Sequence, residues 1–134
     1  MDLVLDEKSI CKVPFIAVIG PFRGENHWEV YKKINKAEQL HYQVFENGFY
    51  SFCPHNNTRH FEGSLSDDIW LGYCQAFIEK FADGVILVDG WENSSGTKAE
   101  IELCKELNIP IFYSINELVT YDWESHGYIR SCNI

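Results

Sequence analysis

Four short apolar runs, separated by longer stretches of helical periodicity, constrain the fold of this chain more than any other feature. In chain order they are PFIAVIG (14–20), FYSFCP (49–54), GVILVDG (84–90) and IPIFYS (109–114). Strands this apolar have no face suited to water, which is typical of a parallel sheet covered by helices on both sides. The alternation therefore predicts an α/β domain built on a parallel sheet of four to five strands.

The segments between the runs carry helix signals. The first helix is predicted from Val30, Ile34, Ala37 and Val44, which recur at helical spacing, and Gly48 supplies its stop. The second is predicted to open at SDD, with Ser66 or Asp67 as its cap. Its predicted inner stripe consists of Ile69, Tyr73, Ala76, Phe77 and Phe81.

A third helix is predicted after GVILVDG, and a short last helix is predicted from Ile115 onward. No repeat, low-complexity stretch or linker divides the chain. We therefore predict one domain over residues 1–134, with its core at about 14–118 and a C-terminal tail at 119–134.

Size and charge limit the classes of function. The chain has 134 residues, of which 46% are hydrophobic and 23% charged, so one domain can bury a core without disulfides or metal. The net charge of −9 argues against binding long nucleic acid, which needs a basic surface. A small anionic ligand remains possible, because a few local donors are enough to hold it.

The cysteines and the N-terminus indicate the compartment. Five cysteines lie far apart without a C-x-x-C pair, at positions 11, 53, 74, 104 and 132. This pattern favours reduced thiols over a disulfide framework or a zinc site, so we expect no metal and no cofactor. MDLVLDEKSICK is acidic where a secretory signal would be basic, and no apolar run approaches the roughly 20 residues that cross a bilayer. We expect a cytoplasmic protein with no membrane partner.

Ligands of parallel sheets bind beyond the carboxyl ends of the strands, so the loops after the first three runs are the candidate binding loops. The first, GPFRGEN, combines two glycines, the Arg23 cation and a helix that starts near Asn26. This combination suits a phosphate or a sugar hydroxyl, although a tight turn with a surface arginine has the same sequence features. The second loop offers His55 in PHNN, which a solvated turn explains as well.

The third loop leads into a helix whose apolar face carries an acid. On a helical wheel, Leu103, Cys104 and Leu107 fall within about 60° of Glu100. A carboxylate in the first turn, where the helix dipole favours an anion, suits a nucleophile or an electrostatic stabiliser. The alternative is a capping box, in which Thr97 begins the helix and Glu100 bonds back to its backbone.

Together the three loops resemble the nucleoside 2-deoxyribosyltransferase superfamily, including its nucleotide N-glycosidase branch. GPFRG is similar to the first loop of that family, and GTKAE matches its glycine, three residues and then a nucleophilic glutamate at a helix start. The C-terminal half resembles small bacterial and phage members, with an Asp-hydrophobic strand, a Gly-Trp-Glu-x-Ser loop and a Gly-x-x-x-Glu helix. The likeness covers roughly residues 15–118, and we expect a flavodoxin-like, Rossmann-like doubly wound fold.

The resemblance implies roles for individual residues. Glu100 would attack the anomeric carbon of the sugar to give a glycosyl-enzyme, and Asp68 is the nearest candidate for the acid that assists departure of the base. Ser94 would help to hold a 5′-phosphate, and Arg23 resembles the nucleotide-cleaving branch. Trp91 is a departure from the family, and it either stacks on a base or sugar or packs against its own loop. The other expected substrate-binding residues are Gly20, Pro21, Phe22, Gly24, Asn26, His55, Asp89 and Gly96.

We therefore expect an enzyme that cleaves the N-glycosidic bond of a small nucleotide or deoxynucleoside monophosphate, by hydrolysis or 2-deoxyribosyl transfer. Its only expected partners are that small nucleotide or nucleoside and further copies of the chain, because members of the family complete their sites with a neighbouring subunit. One alternative is a non-catalytic nucleotide-binding module, for example one that sequesters a signalling nucleotide. The other is a structural or interaction protein in which Glu100 only caps its helix.

Overall fold

The computed structural model describes residues 13–57, 61 and 64–130 of the chain. The strands are β1 (Phe15–Ile19), β2 (Tyr50–Phe52), β3 (Gly84–Leu87) and β4 (Ile111–Phe112). The helices are α1 (His27–Glu46), α2 (Pro54–Asn57), α3 (Asp67–Phe81), α4 (Ser95–Glu106) and α5 (Ile115–Thr120), with 3-10 turns at Trp91–Asn93 and Glu124–His126. Across these described ranges, no helix has both the length and the apolar character needed to span a membrane.

The four strands form one parallel sheet in the order β2-β1-β3-β4. Ile16 of β1 lies opposite Ser51 of β2 on one side and Gly84 of β3 on the other, and Val85 lies opposite Ile111 of β4. The chain therefore winds from β1 towards one edge of the sheet and from β3 towards the other. The predicted flavodoxin-like doubly wound α/β fold is confirmed, with four strands among the described residues.

Alternate residues of β1 face two different layers of helices. Ile16 and Val18 face the layer formed by α1 and the C-terminal segment, whose buried residues include Ala37, Val44, Phe49, Leu118 and Trp123. Ala17 and Ile19 face the layer formed by α3 and α4, whose buried residues include Ile78, Ile101 and Cys104. Because both faces are covered, every position of the central strands is apolar, as the runs predicted.

Helix α1 forms as its sequence predicts. Its buried residues are Val30, Ile34, Ala37 and Val44. The Oδ1 atom of Asn26 accepts a hydrogen bond from the Glu29 N–H at 2.9 Å, which caps the first turn. Gly48 follows the helix with φ at 90°, a left-handed backbone conformation that residues with a Cβ atom rarely adopt. The helix therefore has defined ends, and its start fixes where the β1 loop finishes.

The inner stripe predicted for α3 is wrong. Ile69 and Phe81 are 49% and 52% exposed, whereas Cys74 is buried. The Phe77 ring lies 4.9 Å from Phe52 and 5.1 Å from Phe81, so these rings pack on one another towards the surface. Hydrophobicity alone predicted the aromatic face as the inner one, but mutual packing of the rings lets the smaller Cys74 turn inward.

The core extends past its predicted end at residue 118. Trp123 is buried, its ring centroid lies 5.6 Å from that of Phe49, and its Nε1 donates to the Leu118 carbonyl at 2.9 Å. The Tyr128 hydroxyl donates to Asp83 Oδ1 at 2.8 Å. The segment predicted as a tail thus covers one face of the sheet, because a large aromatic ring there closes the core.

Candidate functional site

A cavity of about 700 Å³ opens at the carboxyl ends of β1 and β3, where the winding of the sheet reverses. Ligands of open α/β sheets bind at such a point, because the loops after the two strands diverge and leave a crevice. The walls are formed by the loop after β1, by Lys33 of α1, by the first turns of α3, and by residues from Asn93 to Glu100. A cavity of this size accommodates a nucleotide-sized ligand.

The first wall depends on a glycine at the end of β1. A Cβ atom at Gly20 would lie 2.5 Å from the Cβ of Val88, so only glycine allows this approach of the loop to β3. Arg23 then reaches the start of α3, where its Nη2 lies 2.7 Å from Asp67 Oδ2. Both side chains are largely exposed, and such a pair contributes at most about 1 kcal/mol. An anionic ligand can therefore compete with Asp67 for the guanidinium.

The start of α4 forms the opposite wall. Ser94 caps the helix, because its Oγ accepts hydrogen bonds from the Thr97 N–H at 3.2 Å and from Thr97 Oγ1 at 3.0 Å. A hydroxyl has two lone pairs and one proton. With both lone pairs in use, Ser94 can offer a ligand only its O–H donor. The first N–H groups of a helix have no acceptor within the helix itself, and those of α4 lie at this end, so this wall suits phosphate or sugar oxygens.

Glu100 lies in the second turn of α4, at the buried end of the cavity. Its side chain is 1% exposed, and within residues 13–57, 61 and 64–130 its Oε2 has no hydrogen-bond donor. The predicted place of Glu100 in the first turn is wrong, and so is the alternative of a capping box, because α4 begins at Ser95 with Ser94 as its cap and has no acid in its first turn. Burial raises the pKa of Glu100 from 4.5 to about 8. Titration near neutral pH in a cavity is typical of a catalytic carboxyl.

Two thiols lie close enough to Glu100 to sense its charge. Burial, and secondly the Glu100 charge, raise the pKa values of Cys74 and Cys104 to about 12. Both groups are therefore neutral at physiological pH and leave Glu100 in weakly polar surroundings. Cys53, Cys74 and Cys104 form no disulfide with one another, and the other two cysteines lie outside the described residues.

Eight of the predicted site residues line this cavity. They are Gly20, Pro21, Phe22, Arg23, Asp68, Ser94, Gly96 and Glu100. Asp68 lies in the first turn of α3 and is exposed, so it sits at the mouth of the cavity and Glu100 at its buried end. Among the residues with described positions, no group of three or more potential metal ligands is present.

Two predicted residues of the β1 loop have structural roles instead. A Cβ at Gly24 would lie 2.5 Å from the Cβ of Glu29, so Gly24 is needed where the loop meets α1. Asn26 uses its side chain as the cap of that helix. Neither lines the cavity, because the loop turns away after Arg23.

The remaining predicted residues lie elsewhere. Asp89 is exposed just beyond β3. Trp91 packs against Tyr113, with 5.7 Å between the ring centroids, and is not among the residues that line the cavity. His55 belongs to α2, but its side chain lies outside the described residues.

Sequence reasoning missed the wall that α3 contributes. Trp70, Leu71 and Cys74 line the cavity, and their spacing at i, i+1 and i+4 was the available signal for this face. Lys33 was also missed. Its Nζ donates a hydrogen bond to the Arg23 carbonyl oxygen, which only the approach of α1 to the loop could reveal.

Comparisons with known proteins concern the fold and the family of the chain. No curated protein matches the chain in sequence. The structure is similar to that of a 2-deoxyribosyltransferase from the psychrotolerant bacterium Bacillus psychrosaccharolyticus, with 22% sequence identity and a TM-score of 0.53 over 87% of this chain and 98% of that one. The resemblance to the nucleoside 2-deoxyribosyltransferase superfamily is thereby confirmed at the level of the fold. Residues 18–113 match the family described as "Domain of unknown function (DUF4406)", and the chain belongs to this family.

Proposed function

We propose that the protein cleaves the N-glycosidic bond of a small nucleotide or deoxynucleoside monophosphate, by hydrolysis or 2-deoxyribosyl transfer, with Glu100 as the nucleophile. The observation that carries the proposal is the buried Glu100 carboxyl, whose Oε2 accepts no hydrogen bond from the described residues. An unpaired buried polar atom costs about 1–3 kcal/mol, so a carboxyl with a purely structural role should have a partner. We infer that the missing partner is the sugar of the substrate.

The reaction has two steps. In the first, a carboxylate oxygen of Glu100 forms a bond to C1′ while the bond from C1′ to the base nitrogen breaks, and its electron pair leaves with the base. The base takes up a proton, for which Asp68 at the cavity mouth is the candidate donor. In the second step, water or a nitrogen of another base attacks C1′, gives up its proton to Asp68 or to solvent, and releases the Glu100 carboxylate.

The charged edge of the cavity supports a phosphorylated substrate. Arg23 and Lys33 bring positive charge to this edge, and Ser94 offers an O–H donor from the opposite wall. A phosphate matches the geometry of the guanidinium as the Asp67 carboxylate does, and it carries more charge. We therefore propose that the 5′-phosphate lies between the β1 loop and the N-terminus of α4.

The similarity to a 2-deoxyribosyltransferase supports the same class of reaction. Transfer of a deoxyribosyl group between bases also requires cleavage of the bond between C1′ and the base. The fold alone does not select a reaction, so the proposal depends on Glu100 and its cavity.

The test is to incubate the protein with a panel of nucleosides and their 5′-monophosphates and to measure released base by chromatography. Glu100→Gln keeps the size of the side chain but removes its charge, so release should fall by several orders of magnitude while ligand binding persists. Glu102→Gln is the matched control on the same helix, because Glu102 is 70% exposed and pairs with Lys105. Undiminished release by Glu100→Gln would remove this residue from the mechanism.

The pH profile of the reaction gives an independent check. Glu100 must be ionised to attack, and burial raises its pKa to about 8. Base release by the wild type should therefore increase with pH and level off above about 8. A rate that is already constant from pH 6 upward would contradict a buried, unpaired nucleophile.

One observation favours a second candidate, a nucleotide-binding module without catalysis. Asp68 is exposed, so the acid that should assist departure of the base is not enclosed by the cavity. This candidate predicts nucleotides that raise the melting temperature of the protein and are recovered intact after long incubation. Ser94 and not Glu100 caps α4, which counts against the alternative in which Glu100 only caps its helix.

The homo-oligomer and the cytoplasmic location stay predictions. Tyr42 and Phe45 of α1 are exposed, and aromatic residues are enriched at subunit contacts. Light scattering coupled to size-exclusion chromatography would establish the number of subunits.

A further inference from the structure

The indole N–H of Trp70 is a second buried polar group in the cavity for which the described residues supply no partner. Trp70 lies in the first turns of α3 and lines the cavity. Its Nε1 is buried, and in the part of the chain that the structure describes it finds no acceptor. The contrast is Trp123, whose Nε1 donates to the Leu118 carbonyl at 2.9 Å. Buried donors are nearly always satisfied, so an indole N–H with no acceptor among the described residues is suited to bind a ligand.

The position of Trp70 relative to Glu100 follows from the geometry of α3. Cys74 lies four residues after Trp70, hence on the same face of the helix and one turn further along. The thiol of Cys74 is close enough to Glu100 for the carboxylate to raise its pKa, after burial as the main cause. The Cα atoms of Trp70 and Cys74 are therefore about 6 Å apart along the axis of α3, and Trp70 is the one nearer the exposed start of the helix.

The chemistry of the indole restricts the ligand group. An indole N–H can donate a hydrogen bond but cannot accept one, so it selects an acceptor. The Trp70 ring is half-buried and packs on Phe61 at 5.9 Å between centroids, which gives this wall a flat apolar surface. Arg23, Lys33 and the Ser94 hydroxyl offer donors at the other walls, and these suit the oxygens of a sugar and a phosphate.

We propose that the Trp70 indole N–H donates a hydrogen bond to an acceptor atom of the substrate's nucleobase. This inference rests on the proposed function and adds to it a residue that selects the base. As the bond to C1′ breaks, the electron pair moves onto the base and makes its acceptor atoms more negative. The hydrogen bond from the indole to the base therefore becomes stronger in the transition state. Trp70 thus assists departure of the base without transferring a proton.

The experiment compares the wild type with Trp70→Phe, which keeps an aromatic ring and removes the donor. Trp28→Phe is the control, because Trp28 is 63% exposed and stacks on Tyr31 away from the cavity. Each protein is assayed with natural substrates and with base analogues that lack one acceptor, such as purines with CH in place of N3 or N7. Circular dichroism and thermal unfolding establish that the variants are folded.

We expect Trp70→Phe to lower kcat/KM by about 10- to 100-fold on natural substrates, the effect of losing one hydrogen bond. The decrease should disappear for the analogue that lacks the bonded acceptor, and that analogue should be a poor substrate of the wild type. An equal decrease for every base analogue would overturn the proposal in favour of a packing role. A decrease that disappears only when a sugar hydroxyl is removed would overturn it as well.

Failure of this inference is distinguishable from failure of the proposed function. Base release by the wild type that Trp70→Phe leaves unchanged overturns the inference alone. If the wild type releases no base, the contact between Trp70 and the base is tested by calorimetry, which measures the affinities of the wild type and Trp70→Phe for the same nucleosides and analogues. A loss of affinity in Trp70→Phe that is specific to one acceptor then supports the base contact, and equal affinities overturn it.

Discussion

Replacing Glu100 with glutamine should change how the stability of the protein depends on pH. In the wild type, burial raises the pKa of Glu100 from 4.5 to about 8. Between these two values, the folded protein keeps a proton on Glu100 that the unfolded chain has released. Raising the pH therefore favours the unfolded chain, and the free energy of unfolding falls. Glutamine has a similar shape and does not titrate, so the free energy of unfolding of Glu100→Gln should not show this decrease with pH.

The size of the pKa shift sets the magnitude. A difference of one bound proton changes the free energy of unfolding by about 1.4 kcal/mol per pH unit. From pH 4.5 to pH 7, the wild type should lose about 3 kcal/mol relative to Glu100→Gln. The loss levels off above about pH 8, where both states are ionised. The unpaired amide of glutamine adds an offset that is independent of pH, so the slope is the quantity that tests the reasoning.

Urea unfolding of the wild type, Glu100→Gln and Glu102→Gln at several pH values between 5 and 8 measures this slope. The wild type and Glu102→Gln should give parallel profiles, because the Glu102 side chain is exposed to solvent. The stability of Glu100→Gln should rise relative to both as the pH increases. Parallel profiles for all three proteins, within about 0.5 kcal/mol, would show that Glu100 titrates as an ordinary solvated carboxyl. A positive result would make the inactive variant the more stable protein at neutral pH.

Two further predictions concern the walls of the cavity. Gly20→Ala should lower the free energy of unfolding by about 1–3 kcal/mol, because the new Cβ would lie 2.5 Å from that of Val88. The control Gly96→Ala should not lower the free energy of unfolding, because the atom nearest to its new Cβ lies 3.8 Å away. Equal melting temperatures of the two variants would contradict the close approach of Gly20 to Val88. Ser94→Ala should lower stability by about 1 kcal/mol through loss of the cap and should weaken binding of a 5′-monophosphate more than binding of the matching nucleoside. Calorimetry measures both affinities, and equal weakening would place the phosphate elsewhere.

The sequence by itself determined the sheet, helix α1 and the face of α4 on which Glu100 lies. Apolar runs of strand length, the recurrence of Val30, Ile34 and Val44, and the stop at Gly48 are local signals, each contained within one element. The helical wheel also uses only residues of one element, and it correctly predicted Glu100 on the inner face of α4, where Cys104 is fully buried beside it. The wheel overestimated the width of that face, because Leu107 at the end of the helix is 41% exposed.

Only the tertiary structure decided what surrounds these elements. Helix α3 can turn either Cys74 or its aromatic rings inward. Which of the two it does depends on how the rings pack with Phe52 of strand β2. The burial of Trp123 depends on the sheet face that it covers. That Glu100 Oε2 finds no partner among the described residues likewise depends on every element that meets at the cavity. Periodicity reports which way a side chain points, whereas desolvation and hydrogen bonding depend on groups that are distant in the chain, and these set the chemistry of the site.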